Sequence, residues 1–427
     1  LKDLRRRLQK FVMASMADTR SLDDWLDYIS QQHAQVIDMG LDRFNRVLHR
    51  LKLENPAPTV ITVAGTNGKG STCRMIEALL LHGGYRVGST LSPHIWRFNE
   101  RIRLHGNEAS DEEICNAFEA IDSARGDVTL TYFEFSALAA LYCIAKEHMD
   151  VAILEIGLGG RLDAFNAIDP DIAVITSIGL DHQAFLGETR EAIGAEKAGI
   201  LRSGQHVVLG QEMPASVMQR CEALSLQPRC WGAEFSSVCD IEQGTWQLTR
   251  QDHSMYEIPL TAIAPHNIAL ACETVADMVA LDLHLIAQCS TLYIPGRMDI
   301  RRTKDRKWVL DVCHNPDGAR FFLRELASRK LSPAYFVCAM LTGKDHQGFY
   351  QSVIDATGTH VPWLFVDSYG DREMTAGTLA ETLGKGEWTA QNMQQALSLA
   401  HERTQKGDVI VIFGSFSAVE QCTWLAS

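Results

Sequence analysis

Short apolar runs alternate along this chain with longer stretches whose apolar residues recur at helical spacing. "PTVITVA" (58–64) is β-rich and is followed by a glycine loop and a helical pattern, "STCRMIEALLLHG". "YRVGSTL" (85–91) predicts the next strand, "FEFSALAALYCIAKEH" (133–148) a helix, and "DVAILEI" (150–156) and "DIAVITSI" (171–178) two buried strands. Continuous apolar strands separated by helices imply an α/β fold with a mostly parallel sheet covered on both faces.

The pattern changes over 205–262, where "GTWQLTR" and "SMYEIPL" suit antiparallel strands. A helical pattern runs from Pro265 to about Leu281, and "YIPGRMDI" (293–300) supplies a Pro-Gly break. Beyond it the alternation restarts with strands at "KWVLDV" (307–312), "AYFVCAM" (334–340), "PWLFVD" (362–367) and "DVIVIFG" (408–414). Asn315 and Pro316 read as the cap and first position of the helix after "KWVLDV". The expected organisation is an uncertain extension (1–20), a P-loop-containing, mostly parallel sheet domain (21–295) and a smaller Rossmann-like α/β domain (296–427).

Composition narrows the function. The 427 residues carry a formal net charge of −13, which excludes a broad nucleic-acid-binding face and confines any anion to a local site. No apolar run approaches the length that spans a bilayer. The first stretch, "LKDLRRRLQKFVMASMADTR", is basic but lacks the apolar core and cleavage site of a signal peptide. Eleven cysteines without paired spacing predict reduced thiols, hence a cytoplasmic protein, with Cys73 and Cys313 as packing residues.

"AGTNGKGSTCR" (64–74) carries the first chemistry. The standard phosphate loop places its hydroxyl residue directly after the lysine, whereas here Gly70 separates Lys69 from Ser71. The context is nevertheless that of a phosphate cradle. Gly65, Thr66, Asn67, Gly68, Lys69, Gly70 and Ser71 follow a strand and open a helix, so backbone N–H groups and the lysine converge on an anion. The competing reading is a strand-to-helix turn in which Gly and Asn only supply positive φ. In open parallel sheets ligands sit beyond the carboxyl ends of the strands. Ser92, Glu155 and His182 each lie at such an end and are candidate metal ligands; an isolated histidine would more simply be structural.

G-T-N-G-K-G-[ST] resembles the loop of the Mur ligase superfamily, and the chain is most similar to its folate branch, the folylpolyglutamate synthetases and bifunctional dihydrofolate synthetases. The resemblance runs from about Trp25 to Phe416 through "HAQVIDMGLDRF", "LSPHIWRFNERIRLHG", "LTYFEFSALAAL", "LEIGLGGRLDAFN", "TSIGLDH", "EKAGILR", "PHNIALA", "PGRMDI", "DVCHNPDGA" and "GSFSAV".

It implies an ATP-dependent amide ligase that adds L-glutamate to dihydropteroate or folates through an acyl phosphate. It also implies Mg2+ as cofactor, two ions with a monovalent cation admissible, held by Ser92, Glu155, His182 and a carbamylated Lys197. The other reading of Lys197 is a helix lysine paired with Glu196 or another carboxylate. Catalytic roles fall to Lys69, His182, Lys197 and Arg297, and ATP contacts to Asn267, Arg297 and Asp311. Ile37, Asp38, Met39, Thr131, Tyr132, Phe133, Glu134, Leu162, Asp163 and Ala164 match pterin- or folate-contacting stretches, and His314 is a candidate for glutamate. The family leads to an expected monomer, with no nucleic-acid or membrane partner.

The chain departs from the family where the usual D-A-T-N reads "DAFN", placing Phe165 at a threonine position. "DHQAFLG" and Ser417 are further departures, and these touch the acceptor side more than the ATP machinery. They keep open a relative that ligates an amino acid to a non-folate acid. A peptidoglycan ligase would need a larger segment before the loop, and a guanine-nucleotide switch would need an N-K-x-D motif that is missing.

Overall fold

The computed structural model describes residues 20–422, apart from 241, 242, 252, 253, 262, 304, 371 and 385–387. The extension expected at 1–20 therefore lies, but for Arg20, outside the described residues. The first sheet comprises β1 (Thr59–Ala64), β2 (Val87–Thr90), β3 (Ile102–Leu104), β4 (Asn107–Glu108), β5 (Val151–Glu155), β6 (Ile172–Ile175), β7 (His206–Leu209) and β8 (Arg229–Cys230). Their order is β4-β3-β2-β5-β1-β6-β7-β8, parallel from β2 to β8, with β3 and β4 antiparallel at one edge.

Alternation of side chains across this sheet builds two cores. Val60, Ala64, Leu154 and Ile175 face one, whereas Ile61, Val63, Ile153 and Val174 face the other. Both rows are apolar because helices cover both faces, the reason the strands read as continuous apolar runs. The helix Tyr132–Lys146 covers the first face; it starts at a capping box in which Thr131 and Glu134 satisfy each other's backbone N–H groups. On the second face the helix Pro265–Val275 packs against the helix Lys69–His82. That return of the chain places Asn267 beside the glycine loop.

Two expectations need adjustment. Residues 206–209 and 229–230 extend the parallel sheet, so the antiparallel unit is confined to β9 (Phe235–Asp240), β10 (Thr245–Arg250) and β11 (Met255–Pro259). The helix beginning at Pro265 also stops at Val275 rather than near Leu281.

A second sheet holds β12 (Asp299–Arg302), β13 (Lys307–Leu310), β14 (Pro333–Cys338), β15 (Trp363–Val366), β16 (Thr389–Ala390) and β17 (Val409–Phe413). Its order is β12-β13-β17-β14-β15-β16, with only β12–β13 antiparallel. The helix Pro316–Ser328 begins as expected, Asn315 accepting from the Gly318 N–H with Pro316 behind it. A loop of the first sheet crosses over: Ile95 is buried in the core formed by Leu310, Val312 and Val419, and Trp96 packs against it. Among the described residues no helix is long and apolar enough to cross a membrane.

Candidate active site

β1 pairs with β5 on one side and β6 on the other, so the loops leaving these three strands open onto one crevice. The second sheet's loops close over it. The resulting cleft, about 1040 Å3, is lined by residues 65–71 together with Ser92, Glu155, His182, Lys197, Asn267, Arg297, Asp311 and His314. Residues as far apart in sequence as Gly65 and His314 thus face one space.

The glycine loop is shaped by close approach. A Cβ on Gly65 would lie 1.9 Å from Thr176 Oγ1, and one on Gly68, at φ +86°, would lie 2.5 Å from Asn267 Oδ1. Thr176 and Ser177 hydroxyls donate to the Asn67 carbonyl at 2.6 and 3.1 Å, pinning the loop to the end of β6. The helix starts at Lys69, so its free N–H groups face the cleft.

Lys69 Nζ donates to Gly65 O at 3.2 Å, and Lys197 Nζ donates to the same oxygen at 2.8 Å. Lys197 is 5% exposed. Burial and then the neighbouring Lys69 charge draw its ammonium down to about 7. The simpler pairing of Lys197 with Glu196 does not form, because Glu196 holds Arg161 at 2.9 Å.

Glu155 and Ser92 adjoin, the Ser92 N–H donating to Glu155 Oε2 at 2.7 Å. Burial raises the Glu155 carboxyl, opposed by Lys69, that N–H, Arg297 and Arg101. His182, at φ 53°, is drawn down to about 3 by burial and then Lys344, so its imidazole is neutral and able to ligate. Among the described residues no three His, Cys, Asp or Glu side chains form a ready ligand group. A carboxylate, a hydroxyl and a neutral imidazole spread along an open cleft fit a hard cation that keeps water and phosphate in its shell, as magnesium does.

Asp181, adjoining His182, is the junction between the two sheets. It accepts from Lys344 Nζ at 2.6 Å and Asn315 Nδ2 at 3.3 Å, and lies 3.1 Å from His314 Nε2. Burial alone would raise this carboxyl, but His314, Lys344 and His182 hold it well below the usual carboxylate range. Asn315 also exchanges side-chain hydrogen bonds with Asn67 at 3.1 and 3.2 Å. His314 is committed on its other nitrogen too, 2.9 Å from Val312 O. Both ring nitrogens of His314, the residue expected to bind glutamate, thus have protein partners here, while its side chain lines the cleft.

Arg297 lies with its guanidinium 5.4 Å from the Phe416 ring centroid. Asp311 accepts the N–H groups of Met298 and Cys313, each at 2.9 Å, and its carboxyl is raised by burial. Asn267 Oδ1 is buried without a hydrogen-bond partner. A buried acceptor of this kind is costly unless a ligand completes it.

On the acceptor side the expected segments do converge. Gly159 has Leu186 and Met39 as its nearest side-chain neighbours, Gly157 has Phe133, and Arg43 joins Asp38 (2.6 Å) to Glu134 (2.9 Å). Four of the expected contact residues are committed inward, however. Thr131 and Glu134 form the helix cap, Ala164 is buried, and Asp163 accepts from the N–H groups of Gly157, Leu158 and Phe165 at 3.0 Å each. Both carboxylates therefore shape this side, and Glu134 Oε1 is left buried without a hydrogen-bond partner. Ile37 is exposed, and Met39, Tyr132, Phe133 and Leu162 are half-buried.

Several residues were missed from sequence. Arg101 enters the site behind Tyr132, its guanidinium 5.6 Å from that ring, and burial lowers its pKa. A cation at the start of a strand inside "RFNERIRLHG" was the available signal. Lys344, in a turn with no motif, carried none, and the His266–Phe321 ring contact at 4.8 Å beside Asn267 joins two helices whose pairing the sequence does not show.

Comparisons with known proteins agree with this geometry. The family described as Mur ligase middle domain matches residues 63–254, and that described as Mur ligase, glutamate ligase domain matches 296–416. The dihydrofolate synthase/folylpolyglutamate synthase of Escherichia coli (strain K12) is 38% identical over 406 residues, 93% of this chain and 94% of that protein. The Haemophilus influenzae protein of the same name is 36% identical, covering 94% and 97%. Among solved structures, E. coli FolC in complex with DHPP and ADP aligns with a TM-score of 0.88 at 34% identity, covering 96% of this chain and 98% of that one. The bifunctional folylpolyglutamate synthase/dihydrofolate synthase of Yersinia pestis, complexed with AMPPNP and Mn ion, aligns with a TM-score of 0.86 at 36% identity over the same shares. The chain belongs to the dihydrofolate synthase/folylpolyglutamate synthase family of the Mur ligases.

Proposed function

We propose that the protein joins L-glutamate to dihydropteroate and to reduced folates in an ATP-dependent ligation that releases ADP and phosphate. The observation that carries this reading is the 38% identity to a dihydrofolate synthase/folylpolyglutamate synthase across 93% of the chain. In this reading residues 21–295 and 296–427 are two domains that hold ATP between them. The protein acts as a cytoplasmic monomer, a reading that the eleven free cysteines suit.

The acceptor carboxylate attacks the γ-phosphorus of ATP, the bond to the bridging oxygen breaks, and ADP leaves an acyl phosphate behind. The neutral amine of glutamate then attacks the acyl carbon, phosphate departs with the bonding electron pair, and the nitrogen gives up a proton. Backbone N–H groups of 65–71 cradle the phosphates while Lys69 and Arg297 offset charge on the transferred group. Asn267 and Asp311 contact the nucleotide. Ser92, Glu155, His182 and a carbamylated Lys197 would hold Mg2+, which would supply charge neutralisation for the phosphoryl group. Asp181, held as a low-pKa anion by three neighbours, is a poor proton acceptor and positions the second domain instead. Closure of the cleft keeps water from the acyl phosphate.

The test is ADP release with ATP, Mg2+ and L-glutamate, offering dihydropteroate and tetrahydrofolate separately and weighing the products. One added glutamate on each acceptor is expected. ATP binding without mass gain on either would overturn the folate assignment.

A further inference from the structure

The acceptor side contains an aromatic pair whose placement is fixed from several directions. Phe165 sits in the helical turn Ala164–Ala167 and is only 3% exposed. Its N–H donates to Asp163 Oδ1 at 3.0 Å, while Asp163 Oδ2 takes the N–H groups of Gly157 and Leu158 at 3.0 Å each. One carboxylate thus staples the turn carrying Phe165 to the loop leaving β5. Phe133 meets Phe165 edge to face, with centroids 5.9 Å apart and planes at 88°. The tip of Phe133 lies against Gly157: a Cβ there would be 2.6 Å from Cζ and 2.7 Å from Cε2. The Phe133 ring is therefore wedged between the Gly157 backbone and the Phe165 ring. Gly157, Leu158 and Gly159 line the cleft immediately beyond it.

We propose that Phe165 is a positioning residue for acceptor specificity: it holds Phe133 against Gly157 and so sets the shape of the pocket for the acceptor's flat heteroaromatic ring. The inference rests on the reading of the acceptor given above. Phe165 is too buried to touch the acceptor and acts only through Phe133. A threonine there would remove the ring face on which Phe133 rests and open space beneath it. Phe133 could then withdraw from Gly157, and a planar ligand would lose its matched wall.

The experiment compares steady-state kinetics of the unaltered protein, Phe165→Thr, Phe165→Leu, Phe133→Leu and the Phe133→Leu/Phe165→Thr pair. Dihydropteroate, ATP and glutamate are varied in turn. Phe165→Thr is expected to raise the KM for dihydropteroate about three- to tenfold, the scale of one aromatic pair. The kcat and the KM values for ATP and glutamate should hold. Phe165→Leu, which keeps most of the bulk, should restore much of the acceptor KM and serves as the test if the threonine variant does not fold. In the Phe133→Leu background the second substitution should add nothing. An equal rise in all three KM values, a fall in kcat alone, or an undiminished effect without Phe133 would overturn the inference. Absence of turnover by the unaltered protein with either acceptor would instead sink the proposed function, and this inference with it.

Discussion

Lys69 and Lys197 share one acceptor, the carbonyl oxygen of Gly65, at 3.2 and 2.8 Å. Burial first, and the repulsion of the Lys69 ammonium second, draw Lys197 down to about 7 from an ordinary 10.5. The folded protein then binds fewer protons than the unfolded chain between those values, so stability rises with pH across that window and is flat in this respect below it. In metal-free, CO2-free buffer the melting temperature should climb from pH 7 towards 10 relative to Lys197→Met, which has no charge to lose. Parallel pH curves for the two proteins would show that Lys197 stays charged.

A neutral buried amine beside a cation is also a nucleophile towards CO2. Carbamate formation consumes the lone pair, releases a proton and leaves an anion facing Lys69. Bicarbonate should therefore raise the activity of dialysed protein at pH 7.5 and above, and Lys197→Ala should lose about 10²-fold or more in kcat. Acetate or formate, standing in for the carbamate, should restore part of it. Full activity in Lys197→Ala without any added acid would remove the carbamate from the site.

Lys69→Met tests the other half of the pair. Losing one preorganised cation on the transferred phosphoryl group is expected to lower kcat for ADP release about 10²- to 10³-fold. It also removes the charge that adds to burial in lowering Lys197, so the pH at which Lys197 becomes neutral should move part of the way upward in the same variant. A kinetic defect with no change in the pH dependence of melting would break the link between the two lysines.

How far the sequence could be read follows from what each residue answers to. The glycine loop, the strand ends and the Asn315–Pro316 helix start were legible because each obeys a local rule: positive φ, strand period, cap chemistry. The inward turn of Asp163 was not legible, since an aspartate that hydrogen-bonds a ring and one that accepts three backbone N–H groups look alike in "RLDA". Lys344 was equally silent. Its meaning comes wholly from Asp181, 163 positions earlier and across the cleft.

That contact makes a stability prediction. Asp181→Asn leaves the buried Lys344 ammonium without its counter-charge, at a cost on the order of 3–5 kcal/mol. Urea unfolding should show the loss, and adding Lys344→Met should recover most of it because the stranded charge is then gone. If the double variant is no more stable than Asp181→Asn, then His314 and Asn315 carry the junction and Lys344 does not.

Ile95 joins chemistry to domain position. Three residues earlier, the Ser92 N–H is held by Glu155 at 2.7 Å. The N–H groups of Ile95, Trp96 and Arg97 all donate to the Glu100 carboxylate at 2.7–2.8 Å, so the intervening loop is stiff. The Ile95 side chain nevertheless belongs to the second domain's core, where a Cβ on Gly296 would come within 2.7 Å of its Cδ1. Truncation to alanine should cost about 2–5 kcal/mol of packing. That packing spans the two halves of the ATP site, so Ile95→Ala should raise the KM for ATP severalfold as well as lower the melting temperature. An Ile95→Val variant, which removes one methylene and keeps the anchor, should change both far less. If Ile95→Ala melts earlier yet binds ATP normally, Ile95 is only a core residue and the position of Ser92 is independent of the second domain.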